Sequence, residues 1–217
     1  MALVLYDVET SGLNKRFDQI LQFAALRTDV DLIETDRFET RSRLMPHVVP
    51  SPKALHLTGT SLANATDVSR QSHYDMVCEI ATVLSSWSPA IFLGFNSISF
   101  DEEFLRQAFY QCLHPVFLTN TNRNARADVL NLMRAAGTLY PSVIRPGIGA
   151  DGENVYRLGA LAAANGIALG KAHDAAHDVD AMLQLCRRVK KGAPDLWSAF
   201  LRFSSKARRR RFDIRLL

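Results

Sequence analysis

The stretch LYDVETSG, residues 5–12, ends an apolar run that begins at Leu3, and it sets two acids, Asp7 and Glu9, one residue apart. In an extended chain, residues i and i+2 point to the same face. Asp7 and Glu9 therefore share a face with Leu3 and Leu5, and Val4, Tyr6 and Val8 take the other. Two like charges held this close repel. Burying either one unpaired costs several kcal/mol or raises its pKa until it is neutral. A bound divalent cation removes both problems, because hard cations take carboxylate and phosphate oxygens. The motif alone is too short to be specific, and a strand end with both acids in water also accounts for it.

Outward from this strand, QILQFAALRTD (19–29) and IETDRFETRSRL (33–44) predict two more strands, a three-stranded antiparallel meander. VVPSPK (48–53) predicts a loop, and Ser61 is placed to cap a short turn. Met76, Val77, Ile80, Val83, Leu84 and Trp87 fall at helical spacing within 72–87, and AIFLGFN (90–96) predicts a strand. Helices are expected over 99–113, 128–139, 157–166 and 173–191, with a Pro/Gly loop over 141–154. Three strands, a helix, a strand and then mostly helices give a single α/β domain with a mixed sheet.

The chain has 217 residues, 47% of them apolar and 22% charged, enough apolar material for a core and against disorder. No apolar run approaches a membrane span, so no membrane association is expected, and Asp7 interrupts anything resembling a secretion signal. Cys78, Cys112 and Cys186 are odd in number and widely spaced, which fits no zinc site or disulfide framework and points to the reducing cytoplasm. The net charge of +4 is uneven. Residues 187–217 hold eleven Lys/Arg against two Asp, leaving fifteen basic against twenty acidic residues before them. The basic end is either a solvated helix and tail or an attraction for a polyanion.

More acids follow at spaced positions. Asp101 starts a helix five residues beyond Asn96, and Asp178 lies five residues beyond His173 at the start of another. Each alone has a capping or dipole explanation. In order, Asp7-x-Glu9, Asn96-x-x-x-Phe100-Asp101 and His173-x-x-x-x-Asp178 resemble the three motifs of the DEDDh 3′→5′ exonucleases, a family with the ribonuclease H-like fold, a mixed central sheet flanked by helices. DVETSGL, QFAALRTD, LTGTS, LGFNSISFDEEFLRQAFY, DVLNLMRAAGTLYP and AHDAAHDVDA are similar, in order, to the bacterial exonuclease I branch, so that the resemblance covers most of residues 3–190.

The resemblance implies that Asp7, Glu9, Asp101 and Asp178 bind two divalent ions, Mg²⁺ with Mn²⁺ able to substitute. It implies His173 as general base, in preference to His177, and Thr10, Ser11, Gly12 and Leu13 as the lining of the 3′-nucleotide site, with Asn96 nearby. The chemistry suits the residue types, since two metals about 4 Å apart hold both oxygens of an in-line displacement and no covalent intermediate is needed. The implied reaction releases nucleoside 5′-monophosphates from a 3′ end, with single-stranded DNA favoured over RNA as partner. An exoribonuclease and a non-catalytic nucleic-acid binding module are the alternatives. The nuclease domain is expected over residues 1–205, and 206–217 as a basic tail or the start of a linker to a further domain. Oligomeric state is not legible. Asp174, Asp180, Glu102 and Glu103 fall off the motif positions and are expected to be caps or surface charges, and Asp128 has no assigned role.

Overall fold

The computed structural model describes residues 1–168, 170 and 174–204. His173 and the stretch from Ser205 to Leu217 lie outside the described residues, with most of the basic end.

Strand β1 (Ala2–Thr10) is the centre of a five-stranded sheet, with β2 (Ile20–Thr28) and β3 (Glu34–Arg41) on one side and β4 (Ala90–Gly94) and β5 (Ala125–Asp128) on the other. The sheet is mixed, as expected: β1–β2 and β2–β3 are antiparallel, β1–β4 and β4–β5 parallel. The alternation in β1 places its residues as the sequence predicts. Leu3 and Leu5 enter one apolar cluster, and Val4, Tyr6 and Val8 enter the other. After two short helices, α1 (Pro52–Thr58) and α2 (Leu62–Ala65), the second cluster is closed by α3 (His73–Ser86) and α4 (Asp101–Gln111). The first is closed by α5 (Val129–Leu139), α6 (Leu158–Ala164), α7 (Ala175–Gly192) and α8 (Pro194–Ser204), with α7 packed on β1 and β2.

Local chemistry sets the helix starts. Ser61, Ser72, Asp128 and Asp174 each accept a backbone N–H with the side chain and open a short helix over Leu62–Ala65, α3, α5 and α7 respectively. Four elements differ from the sequence expectations. The loop expected over 48–53 runs into a helix at Pro52–Thr58, which has proline at its start and buries none of its residues. β5 is only four residues long and carries Arg126, so it leaves no strand pattern. The loop over 141–154 contains a small hairpin, Gly147–Ile148 with Asn154–Val155. α8 has no counterpart among the expected elements.

The basic end is partly structural. Arg187 donates to Leu32 O, Arg188 to Val143 O and Asn165 O, and Lys190 pairs with Asp31. These three cations tie α7 to surrounding loops instead of standing in solvent.

Candidate active site

β1 and β4 run parallel, and their C-terminal ends form one rim of the sheet, the usual ligand position in open α/β sheets. Asp7 and Glu9 project there on the α7 side, and α7 presents Asp178 from its first turn. One carboxylate oxygen from each of Asp7, Glu9 and Asp178 lies within 4.8 Å of the others, and the three form the one such acidic cluster among the described residues. A register shift between Glu9 and Thr10 ends the regular pairing beside the acids.

Asp101 stands apart from this cluster. Its Oδ1 accepts the Val8 amide at 3.2 Å, which ties the start of α4 to β1. Asp101 still lines the same cleft, of about 290 Å³, together with Asp7, Glu9 and Asp178. Among the other lining residues, Leu13, Leu57 and Phe100 are apolar, and Lys53 is the one cation among the described residues there.

The electrostatics follow from this crowding. Burial, then the charges of Asp101, Asp178 and Glu9, holds the Asp7 carboxyl well above the usual carboxylate range. Burial, then Asp178 and Asp101, pushes Glu9 up to about 8. Burial pushes Asp101 up to about 7, although its own amide and that of Val8 favour the charged form. A set of acids that resists ionisation when empty suits hard cations, whose charge removes the repulsion. The donors are all carboxylate oxygens, as Mg²⁺ or Mn²⁺ prefers.

The segment after Glu9 forms a compact turn. Asp18 accepts from Ser11 Oγ at 2.8 Å and from the Asn14 amide at 2.8 Å. A Cβ at Gly12 would collide with the Asp18 carboxylate, so a side chain there would displace Asp18 from Ser11 and Asn14. Thr10, Gly12 and Leu13 line the cleft, with Leu13 79% exposed. The Ser11 side chain is fully buried and turned to Asp18, and the residue does not line the cleft. Asn96 lines the cleft with a left-handed backbone (φ 60°), its amide donating to Asp128 Oδ1 and its side-chain oxygen accepting from Ser99.

Asp128 thereby gains a role absent from the sequence expectations. It caps α5 at Leu130 N and holds the loop after β4 through the Asn96 and Ile98 amides. The expected surface position of Glu102 is corrected. It is 1% exposed and accepts from Tyr6 Oη at 2.7 Å, Thr119 Oγ1 at 2.8 Å and Arg126 at 2.7 Å. The signal was its place on one helical stripe with Leu105 and Phe109, three and seven residues on. Asp174, Asp180 and Glu103 are cap and surface charges, paired with Arg41, Arg37 and Arg106. His177 has a side chain 45% exposed, 3.7 Å from Asp174.

Sequence comparison matches residues 4–186 to the RNase_T family, described as Exonuclease. Exodeoxyribonuclease I of Escherichia coli K12 is 31% identical over 198 residues, 89% of this chain and 41% of that protein. Exodeoxyribonuclease I of Buchnera aphidicola from Schizaphis graminum is 31% identical over 210 residues, 94% of this chain and 42% of that one. E. coli exonuclease I solved with a dT13 oligonucleotide superposes with a TM-score of 0.89 at 28% identity, over 95% of this chain and 45% of that structure. The chain thus spans about two-fifths of the length of these curated relatives.

Proposed function

The chain belongs to the exonuclease family, and from that premise we propose that it removes nucleotides from the 3′ end of single-stranded DNA by metal-dependent hydrolysis, releasing nucleoside 5′-monophosphates. The observation that carries this reading is the convergence of Asp7, Glu9 and Asp178 within 4.8 Å in a cleft that Asp101 also lines. Single-stranded DNA is proposed as substrate because the relatives are exodeoxyribonucleases and one of them was solved with dT13.

Asp7, Glu9 and Asp178 would hold two divalent cations, with Asp101 contributing from α4. When bound, such ions supply positive charge against the scissile phosphate and bring the pKa of water toward neutrality. The remaining tasks belong to the chain. Leu13, Leu57 and Phe100 give the terminal base apolar surface, and the Asp18-fixed turn keeps Leu13 in place. Thr10, Ser11, Gly12 and Asn96 shape the nucleotide site, Ser11 from beneath through Asp18. His173 accepts the proton of the attacking water, a role for which an ordinary imidazole pKa is suited. The free thiols Cys78, Cys112 and Cys186 fit work in the cytoplasm.

The test uses a 5′-labelled single-stranded DNA oligonucleotide and its RNA counterpart with Mg²⁺, Mn²⁺ or EDTA. A metal-dependent ladder shortening from the 3′ end, faster on DNA and abolished in Asp7→Ala, is expected. His173→Ala should slow cleavage far more than His177→Ala. Binding without shortening would replace the proposal by a nucleic-acid binding module, and faster RNA cleavage would make the chain an exoribonuclease.

A further inference from the structure

The three thiols of the chain stand in different surroundings. Cys186 is fully buried in the first apolar cluster, and burial pushes it up to about 12. Cys78 and Cys112 lie on the other face of the sheet, at the seam where α3 packs against α4. Cys78 is half-buried on α3, and Cys112 is the buried residue that ends α4.

The end of α4 is folded so that it reaches Cys78. Leu113 takes a left-handed backbone (φ 60°) with its amide donating to Tyr110 O, and the His114 amide returns to Phe109 O at 2.8 Å. This is a Schellman closure with leucine where glycine is usual. It turns the chain back, stands the His114 ring edge-on to Phe109, and brings His114 Nε2 to 3.4 Å from Cys78 Sγ. The Tyr74 hydroxyl, one turn earlier on α3, bonds the same sulfur, which raises its own pKa. Burial, then the charge of Cys78, raises the Cys112 thiol, so the two thiols lie within electrostatic reach of each other. Tyr74 and Leu113 are exposed, at 59% and 94%, so the seam opens to solvent beside Cys78.

A thiol beside an imidazole has a base for its proton, and the thiolate is the form that attacks a disulfide. We propose that Cys78 and Cys112 form a redox pair, in which Cys78, with His114 as base, exchanges with small-molecule disulfides and Cys112 resolves the adduct. In the first step His114 Nε2 takes the Cys78 proton, and Cys78 Sγ attacks one sulfur of the disulfide RSSR. The S–S bond breaks, leaving Cys78 joined to SR and a free RS⁻, which takes the proton and departs as RSH. In the second step Cys112 Sγ attacks Cys78 Sγ and expels the second RS⁻, which takes the Cys112 proton. Two electrons pass from the protein thiols to RSSR, which ends as two RSH. Pairs of this kind in a reducing compartment are transient and responsive instead of structural. The link would close the chain from 78 to 112, around β4 and the loop to α4. The carboxylates stand clear of it, because Asp101 opens α4 and Cys112 follows its end, about 16 Å away at about 1.5 Å per residue.

The test incubates the full chain with glutathione disulfide at neutral pH and follows intact mass and peptide maps over time. The wild type is compared with Cys78→Ser, Cys112→Ser and His114→Ala. The wild type should lose the Cys78 and Cys112 thiols together and gain an internal link between them, reversed by dithiothreitol, with Cys186 untouched. Cys112→Ser should stop with one glutathione on Cys78, and Cys78→Ser should gain neither adduct nor link on the same timescale. His114→Ala should slow the first step about tenfold or more, and free imidazole should restore part of the loss, which a purely structural role of the ring would not allow. The wild-type map decides by itself should a variant fail to fold. An adduct that persists on Cys78 of the wild type overturns the pair, and so does first reaction at Cys112 or Cys186. A His114→Ala rate equal to the wild type's, or a loss that imidazole leaves unrepaired, overturns the assignment of the base. Nucleic acid takes no part in this assay, so its outcome is independent of the exonuclease reading.

Discussion

At Glu102 a carboxylate sits at 1% exposure with three donors on it, and at Glu103 the same group is 39% exposed and paired with Arg106. Removing one partner of a buried ion pair leaves the other charge without compensation, whereas an exposed pair contributes little. Glu102→Ala should therefore cost about 3–5 kcal/mol in urea unfolding, and Glu103→Ala no more than about 0.5 kcal/mol. Comparable losses in the two variants would contradict the burial argument. The difference in legibility between these acids and Asp7–Glu9 is physical. The period of two in a strand assigns Asp7 and Glu9 to one face from the sequence alone. Glu102 draws its partners from Tyr6, Thr119 and Arg126, separated from it by 96, 17 and 24 positions, so its surroundings exist only after folding.

At the scale of elements, Asp128 ties the loop from β4 to α4 to the start of α5. That carboxylate serves three amides, those of Asn96, Ile98 and Leu130. Asp128→Ala should cost about 1–2 kcal/mol, the range for losing a helix cap. Amide exchange at Asn96 and Ile98 should speed more than exchange in β1, and protection factors by NMR would show it. Of the elements that were legible, β1, β2, β4 and α3 to α7 bury apolar residues in the two clusters, whereas β3 is mostly exposed and is marked by its β-branched and aromatic residues beside β2. The Pro52–Thr58 helix buries none of its residues and has no period to display. β5 is too short to alternate. α8 does carry a stripe, Trp197, Phe200 and Leu201 packing on the first cluster, but it is short and lies between Lys190–Lys191 and the basic run that begins at Lys206.

For the molecule as a whole, the acids make stability depend on pH and on metal. Glu9 has a folded pKa pushed up to about 8, above the ordinary glutamate value, so the folded chain keeps a proton that the unfolded chain releases. Its contribution is present at low pH and is lost as pH rises toward 8. His73 acts in the other direction. Burial lowers it to about 4, so folding loses stability as pH falls below the ordinary histidine value of 6.5. Between pH 6.5 and 8 the carboxylates therefore dominate. In EDTA, the melting temperature should fall by at least about 2 °C across that window, and Mg²⁺ should shrink the fall by taking over from the protons. Differential scanning fluorimetry at several pH values checks both. A melting temperature that rises with pH in EDTA would show that the acids are not held protonated by their surroundings.

The Pro52–Thr58 helix, which supplies Lys53 and Leu57 to the cleft without burying a residue, has a thermal consequence. Elements with few buried contacts open locally at a small fraction of the global unfolding free energy, and a central strand opens only with the whole domain. One wall of the cleft is therefore anchored in the most protected part of the molecule, and the other can swing away on its own. On warming, the wall that carries Lys53 and Leu57 should loosen while the acids on β1 keep their places, so the cleft should widen before its carboxylates disperse.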